Sequence, residues 1–268
     1  PPPPSPPPGA ANDLLAVVQQ RGYLKVAVRV WPDSRFKPPL FRNPFGALDG
    51  YEVAVAHALA DRLDVGLEMA ESDPRQIAAG GWNGQWDMAL AWLPITDNAL
   101  QTLLFSDPYA LERGALAVHA ENTTIGGMQD LPGKRVGVPA QTVYAQILGG
   151  EGVLAGGVFI GDDVPAGVTV VPYNRDGNAL RDLAAGDGTT LDAVLHSEYI
   201  LDAAVAEGMP LKVIARNLFP LPVGVAFDRA GLPAERLRQA VNGALAAMRQ
   251  DGSLDELAFK WYERDILP

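Results

Sequence analysis

The chain has no cysteine and only three histidines among its 268 residues. Disulfides, thiolate metal sites and cysteine nucleophiles are therefore excluded within it. It contains no run of about 18 apolar residues, so no segment reads as a membrane-spanning helix. Basic residues are the minority, 21 Lys and Arg against 32 Asp and Glu, for a formal net charge of −11. Nucleic acid and anionic membrane select a basic surface, so that balance argues against both as partners; an acidic surface also serves solubility. The first residue is not Met and no apolar leader core precedes the first element, so the chain reads as processed or trimmed.

What is present is an ordinary globular composition, 48% apolar and 20% charged, at a length that holds one large or two modest domains. The opening PPPPSPPPGA is the exception. Proline without an N–H and with a fixed φ makes neither helix nor central strand, and such a run favours extended polyproline II at about 3.1 Å per residue. Residues 1–10 therefore read as a Pro-rich linker, either a stalk holding a folded domain off a membrane anchor or a flexible tail.

Periodicity supplies the elements. A helix over 12–20 takes Asn12 as its N-cap, and the alternating, β-rich 23–30 is a first strand. Four prolines make 31–49 a loop. Val55, Leu59 and Leu63 line one face of a helix over 52–63, followed by a strand at 65–69 and a buried strand at 86–92. A helical turn at 99–103 leads to strands at 115–119 and 135–138. Thr142 begins a helix over 141–148, and Asp176 caps another that ends at Gly186. Strands at 168–171, 191–195, 211–215 and 223–227 and a long helix over 234–248 complete an alternating α/β pattern. The order repeats in two halves, which predicts one lobe from 11–110 plus 220–268 and a second from 111–219, with the ligand in the cleft between them.

Six short motifs occur in the order found in one known family. They are Leu24-Lys25-Val26-Ala27-Val28, Asp49-Gly50-Tyr51-Glu52-Val53, Thr96 with Phe105-Ser106-Asp107-Pro108-Tyr109, Leu131-Pro132-Gly133-Lys134-Arg135-Val136-Gly137-Val138, Leu191-Asp192-Ala193-Val194, and Gly252-Ser253-Leu254 with Lys260-Trp261-Tyr262. Pro38-Pro39-Leu40-Phe41 and Gly84-Gln85-Trp86-Asp87-Met88 fit the same frame. Together they resemble the bacterial extracellular solute-binding proteins, family 3, the amino-acid-binding-like branch attached to ABC importers. The resemblance implies a two-lobed periplasmic binding protein of type II, an α/β fold with two mixed sheets flanked by helices and joined by a two-strand hinge. It also implies a monomer that presents a small molecule to an ABC transporter permease. Its place would be extracytoplasmic, in the periplasm or lipid-anchored at the outer face of the cytoplasmic membrane, touching membrane only through an upstream anchor.

The positions that hold an amino acid in that family depart here. The carboxylate-binding arginine of T-x-x-R is Ala99, the Gly-x-Thr loop is Trp92-Leu93-Pro94, the aspartate that meets the α-amino group is Ser197, and the second carboxylate loop is Gln141-Thr142-Val143. The resemblance with these departures implies a ligand other than a standard α-amino acid. Candidate ligand-binding residues are Trp31, Trp92, Pro94, Thr96, Asp97, Thr142, Tyr144, Tyr173, Ser197 and Glu198, with Asp33 and Asp176 as further acids. Aromatic faces beside carboxylates suit an organic cation, and aromatics alone suit a flat ring or a sugar; a small anion on the amides at Thr142 is the other possibility. Trp82, Trp86 and Trp261 read as packing residues and Asp107 as a cap. No cofactor, metal or catalytic residue is expected. An enzyme on the same scaffold, dehydratase-like, would need a positioned acid and base, for which His196 and Glu198 are the one suggestive pair, since His57 and His119 lie elsewhere. A sensor domain with the same fold is the third alternative.

Overall fold

The computed structural model describes residues 13–31, 39–161, 164–263 and 265–268, apart from the Asp176 side chain. The Pro-rich linker, Asn12, Asp33 and Pro38 lie outside the described residues. The chain divides into two compact units. The first is made of the described residues of Pro1–Val30, Arg42–Ala110 and Pro222–Pro268; the second, of Trp31–Phe41 and Leu111–Leu221.

In the first unit, α1 (Leu14–Arg21) starts at Asp13, whose carboxylate accepts from Ala16 N at 3.1 Å. The cap is thus one residue later than Asn12, and it supplies the oxygen that an open helical N–H requires. The strand β1 (Tyr23–Val28) buries Leu24 and Val26 completely. β2 (Phe41–Arg42) and β3 (Leu48–Asp49) are two-residue strands inside the segment read as loop. The helix α2 (Tyr51–Arg62) places Val55 and Leu59 on its inner face, as the spacing of four predicts. It is followed by β4 (Gly66–Glu71), α3 (Pro74–Ala79), β5 (Met88–Leu90), α4 (Ala99–Thr102) and β6 (Leu103–Phe105). Asp87 pins the start of β5 to β1, accepting from Lys25 N at 2.7 Å and from the Arg21 guanidinium.

The second unit takes up most of β7 (Ala110–His119), then β8 (Arg135–Pro139), α5 (Val143–Leu148), the hairpin β9 (Val153–Ala155) and β10 (Val158–Ile160), β11 (Thr169–Tyr173), α6 (Asp176–Ala184), β12 (Ala193–Ser197), α7 (Glu198–Ala206) and β13 (Leu211–Val223). Its sheet runs in the order β11-β8-β12-β7-β13. β8 is parallel to β11 and β12, and β7 is antiparallel to β12. Asp192 joins β8 to β12, accepting from Arg135 N at 2.7 Å and from its guanidinium. The core beneath contains Leu116, Val118, Val136, Val138, Leu148 and Leu195.

The chain then returns to the first unit through β14 (Ala226–Asp228), α8 (Glu235–Gln250) and α9 (Ser253–Tyr262). β14 sits inside that sheet, whose order is β4-β1-β5-β14-β6, with β1 parallel to β4 and β5 and β14 antiparallel to β5 and β6. The two sheets are mixed and flanked by helices, the α/β architecture expected. Two caps differ from expectation. The N-cap of α6 is Arg175, with Asp176 its first helical residue. At α5, Thr142 occupies the N-cap, but its hydroxyl donates back to Pro139 O at 2.7 Å instead of accepting from the helix.

Candidate functional site

In the first unit, the candidates follow β5. Trp92 adopts the left-handed region at φ 50°, and its amide donates to Glu52 Oε1 at 2.6 Å. The same oxygen accepts from the Tyr109 hydroxyl, and Tyr51 donates to the Tyr109 carbonyl at 2.9 Å. Glu52 has no exposed surface, and its Oε2 has no hydrogen-bond partner. Burial drives its carboxyl up to about 7, against the opposing pull of the Tyr109 and Trp92 bonds and the Arg29 charge. The same burial pushes the Tyr109 hydroxyl well above the usual phenol value.

The Trp92 ring lies among Tyr51, Tyr109 and Tyr262, edge-on to the first two at centroid distances of 6.2 and 6.3 Å. Only 5% of Trp92 is exposed, and its ring lies within reach of three tyrosine rings. Pro94 bridges to Val223, and Ile95 N donates to Pro222 O at 2.7 Å. The Thr96 hydroxyl oxygen accepts at 3.1 Å from the amide of Ala99, the first residue of α4, whose N-cap is Asn98. Ala99 itself is half-buried and brings no charge. Asp97 is half-buried, and Asp107 is exposed, its amide held by Asn242 Oδ1 at 2.8 Å.

In the second unit, the structure brings two candidates together on a residue outside the candidate set. Tyr144 and Ser197 both donate to Glu112 Oε1, Ser197 from 2.5 Å. Glu112, Tyr144 and Ser197 are buried, 2–4% exposed. Desolvation, followed by the charge of Glu112, raises the Tyr144 hydroxyl well above its ordinary value. Tyr173 stands apart, donating to Asp182 Oδ2 at 2.6 Å, and burial lifts its hydroxyl to about 12. Trp31 is buried, with its amide on Leu40 O at 2.9 Å and its backbone bridged to Phe41.

Glu198 is an open cleft acid in the sequence reading; in the structure it is the first residue of α7, where it accepts from Arg216 at 3.0 Å and from Asn217 N at 3.2 Å. His196 is 1% exposed, and its Nδ1 accepts from Ser197 N at 2.7 Å. Among the described residues no group of three or more His, Cys, Asp or Glu is placed to hold a metal ion.

Two residues at the centre of these arrangements, Glu52 and Glu112, are absent from the sequence-derived set. Glu52 had a signal, its place in Asp49-Gly50-Tyr51-Glu52 at the mouth of α2. Glu112 had a fainter one: it shares the buried phase of β7 with Ala110 and Gly114, and an acid on the inward phase of a strand needs partners.

Comparison with known proteins agrees with this architecture. The family description "Bacterial extracellular solute-binding proteins, family 3" matches residues 28–264. The L-cystine-binding protein TcyJ of Escherichia coli K12 is 29% identical over 255 residues, 94% of this chain and 87% of its own. The histidine-binding periplasmic protein of the same organism is 27% identical over 245 residues, covering 89% and 88%. The crystal structure of the amino acid ABC transporter substrate-binding protein AbpA from Streptococcus pneumoniae, bound to L-arginine, superposes with a TM-score of 0.73 at 22% identity, over 92% of this chain and 97% of that one; at that identity the likeness speaks for the fold. Among the described residues no helix is long and apolar enough to cross a membrane. This chain belongs to the bacterial extracellular solute-binding proteins, family 3.

Proposed function

We propose that the protein captures a small organic molecule outside the cytoplasm and delivers it to the permease of an ABC importer, and that the molecule is not a standard α-amino acid. The family and its cystine- and histidine-binding relatives support capture and delivery. The two units serve as the lobes of such a protein, in the periplasm or lipid-anchored at the outer face of the cytoplasmic membrane.

The observation that carries the ligand reading is the state of the positions that the motif resemblance matches to the family's amino-acid clamp. Ala99 has no charge, and the hydroxyl of neighbouring Thr96 accepts from its amide. Ser197 gives its one proton to Glu112. A buried carboxylate left without its cationic partner costs about 3–5 kcal/mol, which is roughly a hundredfold or more in affinity. A zwitterion held in the usual way would therefore fall out of the micromolar range. His196 and Glu198, each engaged elsewhere, give the enzyme alternative no support. Titration calorimetry against the twenty amino acids and a panel of cationic, aromatic and polar metabolites tests this. Tight binding of a metabolite outside the amino-acid set is the expected result. A standard amino acid as the tightest ligand would overturn the ligand reading, and silence from every compound would overturn capture.

A further inference from the structure

The buried carboxyl of Glu52 uses only one of its two oxygens. It stands on the first turn of α2 with no exposed surface. Two donors from different segments, the Trp92 amide at 2.6 Å and the Tyr109 hydroxyl, converge on Oε1. Oε2 has no hydrogen-bond partner among the described residues. An ionised carboxylate spreads its charge over both oxygens and requires donors at each when buried. A single proton on Oε2 removes that charge and leaves both bonds to Oε1 in place.

The bond from Trp92 holds an unfavourable turn. Trp92 lies at φ 50°, a left-handed conformation that a bulky side chain disfavours. The turn redirects the chain from β5 into residues 93–95. These are tied to the returning chain by Gly224 N on Leu93 O at 3.3 Å, Ile95 N on Pro222 O at 2.7 Å and the bridge from Pro94 to Val223. All of these residues belong to the first unit. Trp92-Leu93-Pro94 is also the stretch that the motif resemblance matches to the family's ligand loop.

The groups around Glu52 do not make up for its lost water. Arg29, just past β1, is the cation acting on it, and burial outweighs that charge. Tyr51 on α2 and Tyr109 keep their protons, since burial raises both hydroxyls. Arg249 on α8 and Asp255 on α9 act on Tyr51 with opposite signs, and Tyr262 on α9 stands against the Tyr51 and Trp92 rings. Ionisation in place is therefore costly, and water admitted to Oε2 relieves it. Tyr109 is completely buried and held in turn by the Tyr51 hydroxyl at 2.9 Å, so the loop is the side that gives way.

We propose that Glu52 is a latch on the loop 92–95: with its proton it holds the left-handed turn at Trp92, and on ionising it lets the loop open while the rest of the first unit stays folded. The consequence for capture, a ligand loop fully formed only while Glu52 holds its proton, rests on the function proposed above; the latch itself does not.

Amide hydrogen exchange read by NMR on the whole protein, corrected for the intrinsic pH dependence of exchange, decides this with no solute present. Trp92 and Ile95 report the loop. Ser72 and Asp87, whose amides bond to β1 at Val28 O and Lys25 O at 2.9 and 2.8 Å, report the rest of the unit. Between pH 5 and pH 8 the protection of Trp92 and Ile95 is expected to fall about tenfold or more, the scale set by an open carboxyl at about 4.3 and a closed one at about 7. At pH 8 a small addition of urea should leave their exchange unchanged while it speeds that of Ser72 and Asp87, because a local opening exposes little surface. In Glu52→Gln, which keeps an acceptor and cannot ionise, their protection should change less than about twofold between the two pH values. Protection that does not fall, that falls equally in the variant, or that follows Ser72 and Asp87 in rate and urea response overturns the latch and leaves solute capture standing. Should the variant fail to fold, the carboxyl carbon resonance of Glu52 in the native protein takes its place. Titration over the range in which Trp92 protection falls supports the latch, and a carboxyl that stays in one state from pH 5 to pH 8 overturns it.

Discussion

Glu52 holds a carboxyl where water cannot reach it, and the consequence is a pH dependence with a definite sign. Its oxygen ties the Trp92 amide and the Tyr109 hydroxyl to the first turn of α2. Arg29 is the cation acting on it, and Tyr109 and Trp92 are the groups bonded to it. Because burial raises the folded carboxyl to about 7, the folded chain keeps a proton that the unfolded chain has released at the ordinary glutamate value of about 4.3. The contribution is fully present below that value and is lost as pH climbs through about 7. Urea midpoints of the native protein should therefore fall between pH 5 and pH 8. In Glu52→Gln, which retains one carbonyl acceptor and cannot ionise, that part of the fall should vanish; an identical pH profile would remove Glu52 as its source. At this scale the sequence was legible only in part. Ala99 and Ser197 were readable as departures from a motif, but the convergence of Tyr144 and Ser197 on Glu112 was not. Hydrogen bonds between residues 32 and 85 positions apart leave no local pattern.

Elements with a strong period were the most readable. The alternation of β1, the spacing of α2 and the apolar stripe of α8, with Leu237, Val241, Leu245 and Met248 all buried, each follow from residues a turn or two apart. Less readable were α7, over which the pattern predicts no element between the strands at 191–195 and 211–215, and the β9–β10 hairpin, which turns at Gly156-Gly157. β13 runs unbroken through Pro220 and Pro222, where prolines argue against a strand; its place at the end of the β11-β8-β12-β7-β13 order is the edge position to which strand prolines are confined. Two glycines show how tertiary contact decides the effect of one substitution. Gly243, inside α8, would meet nothing within 4 Å, so Gly243→Ala should stabilise by about 0.5–1 kcal/mol through helix propensity alone. Gly114→Ala puts the same methyl against Tyr144 and a carbonyl oxygen, and should destabilise by about 1–3 kcal/mol. Urea titration of both variants checks the opposite signs; a neutral Gly114→Ala would mean that the Tyr144 ring is not held as tightly as the contact implies.

At the scale of the whole molecule, the two units draw on the sequence differently, and this has a consequence for folding. The first unit is discontinuous: its sheet places β14, from the return of the chain, between β5 and β6. Without residues beyond 221 that sheet lacks an inner strand, and the apolar faces of β5 and β6 have no partner. In the second unit, by contrast, the buried cluster from Leu116 to Leu195 and all five strands of its sheet, up to Leu221, come from the single stretch 111–221. A contiguous segment carrying its own core and complete sheet satisfies the conditions for independent, cooperative folding. A fragment of residues 111–221 should therefore unfold in urea in one transition, with a slope of about 1–3 kcal/mol per molar as is usual for small domains. A fragment of residues 13–110 should remain unfolded until 222–268 is supplied. The bonds from Tyr144 and Ser197 to Glu112 lie within the first fragment, so Glu112→Ala should lower its midpoint and that of the intact protein alike. A fragment 111–221 that shows no cooperative transition would mean that this unit depends on residues 31–41, whose buried Trp31 and Leu40 are the part of it that the fragment omits.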